Sequence, residues 1–207
     1  MKINSLHYIT ASPEAAELAC QCGVRWVQLR VKNQPPAIWK QLALEMQAVC
    51  RRHGATLIIN DNPALAQEIG AGGVHLGQQD LPPDEARQML GARFIVGGTA
   101  NTFADVQRLA AAGVDYVGLG PFRFTTTKEK LSPVLGLAGY ADIMQQCRAA
   151  GIAVPVIGIG GVLLADVAAL LATGLHGVAV SGAIGAAENP AAAAGQFVRE
   201  LTGVEAI

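Results

Sequence analysis

One arrangement constrains this chain more than any other: a short apolar run of strand character precedes a helical pattern, and the alternation repeats eight times. The strand-like runs are Leu6–Thr10, Val24–Arg30, Thr56–Asn60, Val74–Leu76, Phe94–Gly97, Tyr116–Gly120, Val154–Ile159 and Val178–Ser181. Between and after them, helices are expected over Pro13–Cys22, Pro36–His53, Pro63–Ile69, Pro82–Leu90, Thr102–Ala112, Leu137–Ala150, Leu163–Thr173 and Pro190–Leu201. Ser12 is placed to cap the first helix and Gly54 to end the second. The punctuation recurs as A-x-x-C-G-V, A-G-G-V, A-A-G-V and A-T-G-L-H-G-V, each with glycine between a helix end and the next strand.

Strands that alternate with helices form a parallel sheet with right-handed crossovers, and eight such units can close on themselves. The expectation is a single (β/α)8 TIM barrel that fills residues 1–207 as one catalytic domain. An open doubly wound sheet is the alternative, but no G-x-G-x-x-G follows the first strand.

Composition removes several classes of function. With 51% hydrophobic residues and 5% aromatic ones, the core is aliphatic. A formal net charge of -1 without a basic block argues against nucleic acid or an anionic membrane as partner. Glycines and a proline cut the most apolar region, 151–187, into pieces too short to span a bilayer. The opening M-K-I-N-S-L-H-Y carries no apolar signal region, so a cytoplasmic enzyme of small molecules is expected. Cys20, Cys22, Cys50 and Cys147 lack C-x-x-C spacing and read as reduced thiols. A homo-oligomer is left open.

In such a barrel the active site sits at the C-terminal strand ends. The second strand ends Gln28, Leu29, Arg30, Val31, Lys32, where alternation puts Gln28, Arg30 and Lys32 on the inner face. Two cations there need an anion or an internal acid as partner. The third strand ends Asn60, Asp61, and the loop after the fourth carries Gln78, Gln79, Asp80. Two carboxylates on adjacent strand ends suit Mg²⁺, which takes one or two carboxylates and fills its shell with water and phosphate oxygens. Helix capping by Asp61 and Asp80 is the competing explanation. His75, in mid-strand, reads as a packed histidine bonding locally. Thr99 adds a hydroxyl at the fifth strand. The sixth strand runs into G-L-G-P-F-R-F-T-T-T-K, residues 118–128, which leaves Thr125, Thr126, Thr127 and Lys128 on a loop suited to phosphate oxygens. Gly160 after the seventh strand, with Ser181 and Gly182 after the eighth, can form a second, backbone-built anion cup.

With V-Q-L-R-V-K, I-I-N-D, G-V-H-L-G-Q-Q-D, G-L-G-P-F before T-T-T-K, P-V-I-G-I-G-G and G-V-A-V-S-G-A-I in this order, the chain resembles the thiamine-phosphate synthase (thiamine-phosphate pyrophosphorylase) family along essentially its whole length. That resemblance implies a transferase that joins 4-amino-5-hydroxymethyl-2-methylpyrimidine diphosphate to a thiazole phosphate and releases pyrophosphate by a dissociative route. It implies that Gln28, Leu29, Arg30, Val31, Lys32, Asn60, Thr99 and Lys128 bind the pyrimidine diphosphate and that Asp61 and Asp80 hold Mg²⁺. Thr125, Thr126, Thr127, Gly160, Ser181 and Gly182 would bind the thiazole phosphate, with Lys128, Arg30 and Lys32 as the catalytic cations. Three positions depart from the pattern. Thr99 stands where serine is usual, Ser181-Gly182 where an aliphatic residue and serine are commoner, and Arg123 where an apolar residue or proline is. The related thiazole tautomerase is the alternative within the barrel, but Pro121-Phe122 stands where it has histidine.

Overall fold

The computed structural model describes residues 2–124 and 133–203. Eight parallel strands close into a barrel in chain order, β1 (Leu6–Thr10), β2 (Trp26–Leu29), β3 (Thr56–Asn60), β4 (Gly73–Leu76), β5 (Ile95–Ala100), β6 (Tyr116–Leu119), β7 (Val156–Ile159) and β8 (Gly177–Val180). The first and last strands seal it through Leu6 beside Val178 and Tyr8 beside Val180. Around them run α1 (Pro13–Gln21), α2 (Pro36–Arg52), α3 (Pro63–Ile69), α4 (Pro83–Leu90), α5 (Phe103–Ala111), α6 (Gly136–Ala149), α7 (Val167–Ala172), α8 (Gly182–Gly185) and α9 (Pro190–Thr202). The (β/α)8 barrel expected from the alternation is therefore the fold. Among the described residues no helix is long and apolar enough to cross a membrane.

The helix starts are written in local chemistry. Proline opens α1, α2, α3, α4 and α9, where its missing N–H costs nothing and its fixed φ is already helical. Ser12 Oγ accepts from Ala15 N at 3.0 Å, Asn62 Oδ1 from Leu65 N at 2.9 Å and Asn189 Oδ1 from Ala192 N at 3.0 Å. Thr102 and Asp105 form a reciprocal capping box at α5.

Several boundaries differ from the expected ones. β2 begins at Trp26 because Val24 still belongs to the end of α1, its N–H donating to Ala19 O, while the Arg25 guanidinium donates to Cys20 O and Val24 O. β7 begins after Pro155, which has no N–H for the ladder and offers only its carbonyl, to Val117 N. β5 runs on to Ala100, so Thr99 is a strand residue paired with Gly118. A 3₁₀ turn at Leu164–Asp166 precedes α7, and α8 is a four-residue helix that periodicity does not register.

Alternation divides the strand residues into two cores. Val27, Leu29, Ile59, Val74, Leu76, Val117 and Val178 pack outward against the helices. Trp26, Ile58, Ile95, Tyr116, Ile157 and Ala179 fill the barrel interior. There the His7 ring stacks on Trp26 with centroids 4.3 Å apart, and Tyr116 meets both edge-on. Such large rings fit because small residues face them. A Cβ on Gly97 would lie 2.3 Å from the Tyr116 ring. Gly97→Ala is accordingly expected to destabilise the barrel by about 1–3 kcal/mol through overpacking. A lower denaturant midpoint at unchanged m-value would register it, and an unmoved midpoint would mean that the ring steps aside without cost.

Candidate active site

A cleft of about 1300 Å³ opens at the C-terminal mouth of the barrel. One wall rises from β2 and β3. Gln28 and Asn60 face inward beside Trp26 and Ile58, and Gln28 Nε2 donates to Asn60 Oδ1 at 2.7 Å. Both are nearly fully buried, so each stiffens the other where neither meets bulk water. Beyond the strand end the chain continues along Thr10, whose carbonyl accepts from Arg30 N at 3.1 Å. Arg30, Val31 and Lys32 all line the cleft. Leu29 does not. It points outward by alternation and is fully buried in the strand–helix layer.

The next wall holds the carboxylates. Asp61 and Asp80 line the same cleft, from the ends of β3 and β4. Neither is a helix cap: Asn62 caps α3, and the residue before α4 is Pro82, which supplies no side-chain bond. The capping explanation for both aspartates therefore falls. Asp61 instead sits at φ 62°, in the left-handed region that a non-glycine residue adopts at a cost, while its N–H donates to His75 O at 2.8 Å. Asp80 accepts from Gly77 N at 2.6 Å, which folds the loop back and fixes the carboxylate. Among the described residues no three His, Cys, Asp or Glu side chains cluster as a metal cage. Two carboxylates beside a roomy cleft fit a hard cation that draws its other oxygens from water and a polyanionic ligand. They do not fit zinc.

The floor between these walls is polar. His75 Nδ1 lies 3.0 Å from Tyr116 Oη, and Nε2 lies 3.0 Å from Thr99 Oγ1. The local bonding expected of His75 is found, and its ring also reaches the cleft. Burial pushes the Tyr116 phenol far above its ordinary range and holds the His7 imidazole well below its own, so both are neutral at physiological pH. The same cause raises the Cys20 and Cys50 thiols to about 11 and about 12, which leaves them unreactive.

The opposite wall is built from glycine turns. Gly160 and Gly161 follow β7 at φ 94° and 71°, and a Cβ on Gly160 would come within 2.7 Å of Pro121 Cβ. Ser181, Gly182 and Ala183 lead from β8 into α8. A Cβ on Gly182 would meet nothing within 4 Å, because it would project into open space. Val180, immediately before Ser181, lines the cleft too. Thr125, Thr126, Thr127 and Lys128 lie outside the described residues. Their flanks do not: Leu135 N donates to Pro121 O at 2.9 Å and Gly136 N to Phe122 O at 3.0 Å, which stitches the return of the loop to its departure at the rim.

Some lining residues escaped the reading of strand ends. Asn101, just past β5, accepts from Gln78 Nε2 at 3.0 Å and donates to Gly120 O. Trp39 reaches the cleft from the first turn of α2, a position no strand-end rule points to. Arg123, left without a role by the sequence, forms a two-pronged pair with Asp166. Its Nη1 lies 2.5 Å from Oδ2 and its Nη2 2.9 Å from Oδ1. Hydrogen bonds from Arg123 hold the Asp166 carboxyl below its ordinary value. Any stability this gives is present above the unfolded-state value and lost only as pH falls through the lower folded one.

A sequence model of the family described as thiamine monophosphate synthase matches residues 5–184. A thiamine-phosphate synthase of Bacteroides fragilis (strain ATCC 25285) is 49% identical over 192 residues, which cover 90% of this chain and 94% of that protein. One from Flavobacterium johnsoniae is 54% identical over 166 residues, covering 80% and 78%. Among solved structures, the thiamine phosphate pyrophosphorylase from Pyrococcus furiosus superposes with a TM-score of 0.85 at 24% identity over 96% of each chain. A 3-hexulose-6-phosphate synthase superposes at 0.68 with 20% identity. At such identities the two structures speak for the fold alone.

Proposed function

Since the chain belongs to the thiamine monophosphate synthase family and is an enzyme with thiamine-phosphate synthase activity, we propose that it joins 4-amino-5-hydroxymethyl-2-methylpyrimidine diphosphate to a thiazole phosphate, with Mg²⁺, and releases pyrophosphate. The observation that carries this reading is convergence: the cations Arg30 and Lys32, the carboxylates Asp61 and Asp80, the amides Gln28 and Asn60, and the Gly160 and Gly182 turns all line one cleft.

The diphosphate end of the pyrimidine lies against Arg30 and Lys32, with Lys128 arriving from the loop after β6. Gln28, Asn60 and Thr99 orient the pyrimidine ring. Asp61 and Asp80 would hold Mg²⁺, which when bound would supply positive charge to the diphosphate oxygens. The C–O bond to the diphosphate breaks first, and its electron pair leaves with pyrophosphate. The ring-stabilised carbocation is then captured by the thiazole nitrogen, which forms the new C–N bond. Charge grows on the departing group, so fixed cations lower the barrier and no general base is required. The thiazole phosphate sits in the cup made by Gly160, Ser181, Gly182 and the Thr125–Thr127 hydroxyls, where the first N–H groups of α8 have no intrahelical acceptor.

Incubating the full chain with both substrates and Mg²⁺ tests this directly. Thiamine phosphate and pyrophosphate are expected to accumulate in equal amounts, each requiring both substrates. Turnover at the same rate in a chelator would remove the metal from the scheme, and the absence of either product would sink the substrate assignment.

A further inference from the structure

The loop that leaves β6 and the turn that follows β7 are fastened to each other at several points. Beyond the formal strand ends, Phe122 N donates to Ile159 O at 2.9 Å and Arg123 N to Gly160 O at 3.0 Å. The Arg123 side chain then crosses the same gap. Its Nη1 donates to Gly161 O at 2.7 Å and to Asp166, and its guanidinium lies over the Phe122 ring at 4.6 Å from the centroid. Asp166, in the turn before α7, also accepts from Leu163 N at 2.7 Å. A Cβ on Gly161 would come within 2.4 Å of Arg123 Cγ, so the turn and the arginine stem are fitted to one another.

We propose that Arg123 is a positioning residue: clamped by Asp166, it holds the Gly160–Gly161 turn against the Phe122–Arg123 segment in the one relative placement that shapes the Gly160 side of the thiazole phosphate cup, without touching substrate itself. The inference rests on the reading of that cup given above. A planar guanidinium forked onto a carboxylate fixes direction as well as distance, which a single surface charge pair does not. Three partners on separate parts of two loops leave the arginine little room to turn toward a ligand. The side chain that the sequence could not assign is thereby a strut of the anion cup.

Steady-state kinetics of Arg123→Ala, Asp166→Asn, the double variant and Arg123→Lys test this. Asp166→Asn keeps an oxygen for Leu163 N while discarding the charge, so it isolates the clamp from the α7 turn. Both single variants are expected to raise KM for the thiazole phosphate by about tenfold to a hundredfold, the scale on which a displaced loop weakens a site. KM for the pyrimidine diphosphate should move less than about twofold, and the double variant should be no worse than either single one, because the two groups act as a unit. Arg123→Lys should restore only part of the loss, lacking the fork. A thiazole phosphate KM that is unchanged or lower in Asp166→Asn would overturn the proposal, since a freed guanidinium would then be contacting the anion directly. So would a lower melting temperature with both KM values intact. Failure of the unmodified protein to use thiazole phosphate would be seen before any variant is compared, and would overturn the cup and the clamp together.

Discussion

Turnover by the Asp61→Asn and Asp80→Asn proteins is expected to fall about a thousandfold at fixed Mg²⁺, an effect of roughly 4 kcal/mol on the barrier. Each replacement removes one of two formal negative charges from a pair that has no third carboxylate, histidine or cysteine clustered with it among the described residues. Asparagine is the informative substitute at both positions. Asp61 occupies φ 62°, which asparagine tolerates and alanine does not. Asp80 accepts from Gly77 N, a bond an amide oxygen can keep. Melting temperatures are therefore expected to stay within a few degrees of the parent, which separates lost metal from lost fold. The dependence of rate on Mg²⁺ concentration is the measurement. Parental rates for both variants at limiting Mg²⁺ would take the cation away from these residues.

Lys128→Ala is expected to lower kcat by about a hundredfold to a thousandfold, the range found when one preorganised donor is removed from a developing charge. KM for either substrate should change only a few-fold, because the charge this ammonium meets is larger in the transition state than in the ground state. A variant whose KM alone rises would recast Lys128 as a substrate-holding group. Lys128 lies outside the described residues; on the side where its loop departs, Arg123 N donates to Gly160 O, and after its return Leu135 N donates to Pro121 O.

Local chemistry made much of the fold legible. Ser12 and the prolines that open α1, α2, α3, α4 and α9 announce themselves because their reasons lie within three residues of one another, whereas the cap of α3 proved to be Asn62 and not the Asp61 beside it. Period-2 alternation correctly put Gln28 on the inner face, with Arg30 and Lys32 following it onto the cleft wall. The same rule carried to Leu29 sends it outward, so its place among the substrate-binding residues holds for the backbone at most. What stayed illegible is long-range. The carboxylate that Arg123 grips, Asp166, lies 43 residues on, and nothing in either neighbourhood names the other. Trp39 reaches the cleft only because α2 begins close to the end of β2. α8 is too short for any period to reveal, and Asp61 takes a backbone conformation that composition does not encode.

The slab of His7, Trp26 and Tyr116 across the barrel interior gives the catalytic space a sealed bottom. Among the described residues, the side chains that line the cleft stand one layer nearer the strand ends than that slab, so a molecule seated there rests on packed rings and not on a water-filled bore.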